Sequence, residues 1–373
     1  MTGTHDIAGA KRVVVKVGSA LLVDTDGTLH SRWLGSLARD IAGFRRRGQD
    51  VILVSSGAVA LGRRYLGLKS GGLKLEEKQA AAAAGMVRLA HAYQERLGEH
   101  QLTVAQILLT LADTEDRRRY LNARSTLMTL LGVGAVPLIN ENDTVATDEI
   151  RFGDNDTLGA LVANLLEADA LVLLTDQEGL FDADPRHDPE ARLIAEGRAD
   201  DPALAAVAGD GGALGRGGMA TKVRAARLAA RSGALTAIAS GRQSEVLTRL
   251  MQGETLGTLL MPDHAPLAAR KRWLAGQLQV RGTLVLDAGA VKVLREHGSS
   301  LLPVGVRRVE GEFKRGDMLV CVDEQGQRIA KGLVNYGSDE ARRIMGQPSR
   351  RIEELLGYME SPELIHRDNL VIV

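Results

Sequence analysis

The sequence predicts an α/β protein: a three-layer αβα sandwich built on a mainly parallel sheet, followed by a small C-terminal β-barrel. Three observations carry this. From residue 12 to residue 239, short β-branched runs alternate with longer helical patterns, the rhythm of βαβ units. The runs VVV (13–15) and LVLL (171–174) are apolar without alternation, as expected of central parallel strands covered by helices on both faces. After Trp273 the texture changes to short strands broken by glycines.

Taken in order, residues 12–17 read as a first strand, 32–47 as a helix and 51–54 as a second strand. A long helical pattern lies within 76–97, a strand at 104–108, a helix near 117–131 and a strand at 135–139. Helix 158–166, strand 170–174, a helix opening near Met219 and running to Arg231, and strand 236–239 complete the series. Four further runs, 282–286, 301–306, 313–322 and 328–336, alternate as barrel strands do. The change of period puts a boundary near residues 278–282, and the expected domains are 1–275 and 281–359.

With 373 residues and 45% hydrophobic content, two packed domains are affordable. Lys plus Arg (47) equals Asp plus Glu (47), so no global field draws the chain to nucleic acid or to an anionic membrane. Cys321 has no cysteine partner and reads as strand filler, consistent with a reducing cytoplasm. The segment MTGTHDIAGAKR lacks an apolar h-region, and no run of about 18 apolar residues occurs. The expectation is a cytoplasmic protein with no membrane span. Aromatic residues make up 3%, and the eight histidines form no HExxH pair, which argues against base-stacking platforms and a histidine zinc site.

Chemistry concentrates at the strand ends. Residues 136–156, VPLINENDTVATDEIRFGDND, run from an apolar strand into a dense cluster of carboxylates and carboxamides, which must recognise something polar. Lys16-Val-Gly-Ser19 closes the first strand, where Gly18 and Ser19 would let amides approach a phosphate beside the Lys16 ammonium. Alone, this pattern fits a solvated strand terminus as well. Ser55-Ser56-Gly57 ends the second strand as either an anion site or an ordinary helix cap. Thr175-Asp176 ends the strand at 170–174, as a ligand site or a turn with a cap. Gly215-Arg-Gly-Gly-Met-Ala-Thr-Lys222 precedes a helix, so free amides, the helix dipole and Lys222 face one anion. Its match to a dinucleotide fingerprint is accidental, since no strand precedes it and no acidic residue stands about 20 positions on. The absence of GxxxxGK[ST] and of HRD and DFG elements excludes P-loop and protein kinases.

INENDTVAT with FGDNDTL, together with KVGS, VSSGAV, TDQEGLFDADPR and GRGGMATK in that order, resembles the amino acid kinase family, and most closely its branch acting on free glutamate. The tail resembles a PUA domain. The resemblance implies ATP as phosphoryl donor, L-glutamate as acceptor, Mg2+ as cofactor, and a product that feeds proline biosynthesis. Lys16 and Lys222 would be catalytic, with Asp156 organising them. Ser56, Gly57, Asp143 and Asn155 would hold the amino acid. Lys16, Gly18, Ser19, Thr175, Asp176, Gly217, Gly218, Met219, Ala220, Thr221 and Lys222 would hold the nucleotide. Arg216 departs from the family's usual threonine, and the metal ligands stay open. A homo-oligomer, dimer or tetramer, and feedback by proline are further implications. Rival acceptors within the family are aspartate, acetylglutamate and nucleoside monophosphates. RNA binding by the tail is disfavoured, because residues 281–358 carry 13 Lys plus Arg against 11 Asp plus Glu.

Overall fold

The structure, a computed structural model, describes residues 7–24, 26–68, 72–145, 154–185, 187–208, 218–262, 280–359 and 361–372. The chain divides into two compact units, Met1–Pro266 and Leu267–Val373.

The first unit runs β1 (Arg12–Val17), α1 (Ser19–Leu22), α2 (Ser31–Arg46), β2 (Asp50–Ser55), α3 (Ala58–Tyr65), α4 (Leu75–Gly98), β3 (Val104–Leu109), α5 (Leu111–Glu115), α6 (Arg117–Gly132) and β4 (Val136–Glu141). It continues with α7 (Asn155–Leu166), β5 (Ala170–Thr175), β6 (Glu196–Arg198), α8 (Pro202–Val207), α9 (Met219–Ala230), β7 (Leu235–Ser240), α10 (Val246–Met251) and β8 (Thr258–Met261). The strands form one eight-stranded sheet in the order β3-β4-β2-β1-β5-β7-β8-β6. The first six in that order pair in parallel, and β8 turns antiparallel against β7.

Two apolar layers flank this sheet, because neighbouring residues on a strand point to opposite faces. Val13, Val15 and Val17 of β1, with Val51 and Leu53 of β2, pack with α2, α3, α4 and α10. Val14, Ile52 and Val54 point the other way, toward α7, α9 and the buried face of α6. The expected three-layer sandwich is therefore present. Helix α7 begins at Asn155, three residues ahead of the sequence expectation, because the Asp154 carboxylate caps it by accepting from Thr157 N at 2.7 Å. That cap moves Asn155 and Asp156 from loop into the first helical turn.

In the second unit, β9 (Val280–Leu286), β10 (Val306–Glu310), β11 (Met318–Val322), β12 (Arg328–Leu333) and β13 (Leu370–Ile372) form a five-stranded sheet, ordered β10-β9-β11-β12-β13. Strand β11 starts at Met318 rather than near Phe313, because Lys314 N donates to the Asp317 carboxylate at 2.8 Å and closes a turn. Cys321 is buried within this unit's own core, which also holds Leu319 and Tyr336, and burial pushes its thiol up to about 12. Among the described residues, no helix is long and apolar enough to cross a membrane.

Candidate active site

Parallel register aligns the C-terminal ends of the central strands. Val17 pairs with Ser55 of β2, Lys16 with Leu173 of β5, and Thr175 with Ser240 of β7. An open α/β sheet leaves its ligand crevice at that edge.

Lys16 shares a face with Val14, the face covered by α7 and α9, so its side chain runs under both helices rather than into solvent. There its Nζ lies 2.5 Å from Asp156 Oδ1, while Lys222 Nζ lies 3.1 Å from Asp156 Oδ2. Thr221 Oγ1 is 2.7 Å from the same Oδ2 and also 2.7 Å from Gly218 O. The Lys16 contact is an ion pair without an aligned hydrogen bond on Oδ1. Asp156 is 0% exposed, Lys16 6% and Lys222 4%. Burial by itself would raise the Asp156 carboxyl, but the Lys16 and Lys222 charges, with the Lys16 and Thr221 contacts, hold it below the ordinary carboxylate range. Two ammonium groups and one carboxylate leave an excess positive charge in a nearly dry site. Such a site favours an anion that brings its own negative charge. Gly159, on the same helix, packs beside the Lys16 stem: a Cβ there would stand 3.5 Å from Lys16 Cβ, an ordinary van der Waals contact.

Beside this triad, Asn155 Nδ2 donates to Ser56 Oγ at 2.8 Å, and also approaches Asn140 Oδ1 at 3.1 Å and Ser55 O at 3.2 Å. Asn140 is buried, and its Oδ1 also accepts from Glu141 N at 2.9 Å. Nδ2 is thus turned inward and the Asn155 carbonyl oxygen is left facing away from these partners. Gly57 takes φ 99°, a left-handed conformation that turns the chain sharply from β2 into α3 and that suits glycine. Asp143 stands half-buried in the turn leaving β4. The rest of the predicted loop, 146–153, lies outside the described residues.

On the other side, Gly18 N donates to Leu174 O at 3.1 Å, tying β1 to β5, so amides offered to an anion come from Ser19 onward in α1. Thr175 and Asp176 close β5. Thr175 O accepts from Gly241 N at 2.8 Å, and Asp176 lies 3.6 Å from Arg242. Gly218 is the N-cap of α9, and Met219, Ala220, Thr221 and Lys222 form its first turn. The helix's positive end therefore points to where Lys222 sits. Gly217 and Arg216 lie outside the described residues. The structure brings Lys16, Asp156, Thr221 and Lys222 into one cluster and Ser56 and Asn155 into another. Sequence reasoning missed Asn140 as a support and the inward turn of Thr221, although Asn140 continues the period-two row of Val136 and Leu138 toward the α4 side.

Residues 11–240 match the amino acid kinase family, and residues 282–356 match the PUA domain. The chain belongs to the amino acid kinase family. Within it, relatives that align along nearly the whole chain include glutamate 5-kinases. The glutamate 5-kinase of Chromohalobacter salexigens is 80% identical over 98% of this chain and 96% of its own. Those of Pseudomonas entomophila and Pseudomonas putida are 62% and 61% identical, each over 98% of this chain and 99% of their own.

Proposed function

We propose that the protein transfers the γ-phosphoryl group of ATP to the side-chain carboxylate of L-glutamate, giving L-glutamyl 5-phosphate and ADP, the first step of proline biosynthesis. The observation that carries this is the buried Lys16–Asp156–Lys222 triad, which lies against the Ser56–Asn155 pair at the sheet's C-terminal edge. Whole-length likeness to glutamate 5-kinases supports glutamate over the rival acceptors.

The chemistry is an in-line displacement. A glutamate carboxylate oxygen forms the new bond to the γ-phosphorus while the bond from that phosphorus to the β–γ bridging oxygen breaks, leaving the electron pair on ADP. A side-chain carboxylate with an ordinary pKa of about 4.3 is already ionised at neutral pH, so no general base is needed. Lys16 and Lys222 oppose the charge on the transferring group, and Asp156 holds them apart at fixed positions. Ser56, Gly57, Asp143 and Asn155 hold the acceptor. Gly18, Ser19, Thr175, Asp176 and residues 217–222 hold the nucleotide.

Both Asp156 oxygens already face lysines, and among the described residues no group of three or more His, Cys, Asp or Glu could hold a metal. Mg2+ is accordingly read as part of the nucleotide substrate rather than as a resident ion, and no step is assigned to it. The same reading takes residues 1–275 as the catalytic domain and 281–359 as the PUA domain, with proline as a feedback ligand, a dimeric or tetrameric assembly and a cytoplasmic location.

The deciding experiment is ATP turnover in parallel with L-glutamate, L-aspartate, N-acetylglutamate and UMP, with hydroxylamine trapping any acyl phosphate. Hydroxamate formed with glutamate alone is the expected result. Turnover with a different acceptor would discard the substrate while keeping the phosphate site.

A further inference from the structure

The acceptor end rests on a support from the opposite face of the sheet. In β2, Val51 and Leu53 point toward α4, and Ser55 continues that row, whereas Ile52 and Val54 share the Lys16 face. Ser55 is fully buried, and its Oγ meets the hydroxyl of Tyr93, a residue of α4, at 3.1 Å. Tyr93 is also fully buried, so a phenylalanine would fill the same apolar space without an oxygen to satisfy. Ser55 Oγ in turn donates to Ser56 O at 3.2 Å. With that hydrogen committed, the Tyr93 hydroxyl is the donor to Ser55, and the chain runs in one direction: Tyr93 Oη to Ser55 Oγ to Ser56 O.

The consequence falls on the Ser56–Gly57 peptide. In a trans peptide the carbonyl and the N–H point in opposite directions. Drawing Ser56 O down toward Ser55 therefore turns Gly57 N–H up, away from the α4 face. It also sets the backbone from which Ser56 Oγ reaches Asn155, and Asn155 Nδ2 simultaneously touches Ser55 O.

The geometry points to Tyr93 as a positioning residue for the acceptor. Its buried hydroxyl, acting through Ser55, sets the Ser56–Gly57 peptide and so governs affinity for the amino acid, which Tyr93 itself never touches. This rests on the reading of the Ser56–Asn155 side as the acceptor end.

The test uses the full-length protein with Tyr93→Phe, Ser55→Ala and the double variant, measuring KM for glutamate, KM for ATP and kcat. One hydrogen bond's usual net contribution predicts that Tyr93→Phe raises the glutamate KM about three- to ten-fold. The ATP KM and kcat should stay within about two-fold, and Tyr93→Phe in the Ser55→Ala background should raise the glutamate KM no further. An unchanged glutamate KM, equal shifts in both KM values, or independent multiplication of the two single effects would each overturn the proposal. If the unsubstituted protein uses another acceptor, the substrate reading fails first. The same comparison made on that acceptor's KM then decides the role of Tyr93 separately.

Discussion

Asp156 is the residue on which the site's electrostatics turn. Its carboxylate sits between two buried ammonium groups that would otherwise face each other across a nearly dry space. Removing one partner of a buried ion pair typically costs about 3–5 kcal/mol, and displacing the lysines that stabilise the transferring charge costs about 100- to 1,000-fold in rate. Asp156→Asn should therefore lower kcat at least about 100-fold, as measured by hydroxamate formation, and lower the urea unfolding midpoint at pH 7. The pH dependence has a definite sign. The folded carboxyl lies below its unfolded value of about 3.9, so its stabilising contribution is complete above that pH and is lost as pH falls through the folded value. Urea midpoints taken from pH 7 down to pH 3 should show less acid loss for Asp156→Asn than for the unsubstituted protein. An equal acid loss in both would mean that Asp156 is not held in this charge environment. Lys16 was legible in the sequence as a strand-terminal lysine before Gly-Ser. That its partner stands in the first turn of α7 was not, because the Asp154 cap that extends the helix is a matter of local geometry.

At the scale of elements, the acceptor edge depends on how closely α3 and α4 cross. A Cβ on Gly85 would lie 1.8 Å from Ala58 O, and one on Gly62 would lie 1.7 Å from Ala81 O. Both obstacles are backbone atoms, which cannot rotate away, so an added methyl forces the helices apart. Gly85→Ala should cost about 3 kcal/mol, the upper part of the usual overpacking range, read from urea unfolding. Because Ala58 directly follows Gly57, the same displacement should raise the glutamate KM more than the ATP KM. Unaltered stability would show that the two backbones are not in contact. The helical pattern of 76–97 was legible in the sequence. The crossing was not, since nothing local indicates that Gly62 and Gly85 approach each other's backbones.

At the scale of the molecule, the two units hold separate cores. The two apolar layers of the first unit flank its sheet, while Leu284, Leu319, Tyr336 and Ile352 belong to the core of the second. Every proposed site residue that the structure describes belongs to the first unit, Met1–Pro266. A chain ending at residue 266 should therefore form glutamate hydroxamate with kcat within a few-fold of the full chain, and loss of all activity in a folded truncation would contradict this. The sequence by itself determined the class of architecture, the order of the strand-end motifs and the change of texture after Trp273, because these follow from periods of 2 and 3.6 and from the chemistry of glycine, all of them local. Only the tertiary structure decided which face of the sheet each strand-end side chain enters. That choice places Lys16 and Lys222 on one carboxylate and sends Ser55 to Tyr93 on the opposite face. A chain with no net charge thus acquires a locally positive site through sheet order and helix docking, which answer to burial over long sequence separations rather than to neighbouring residues.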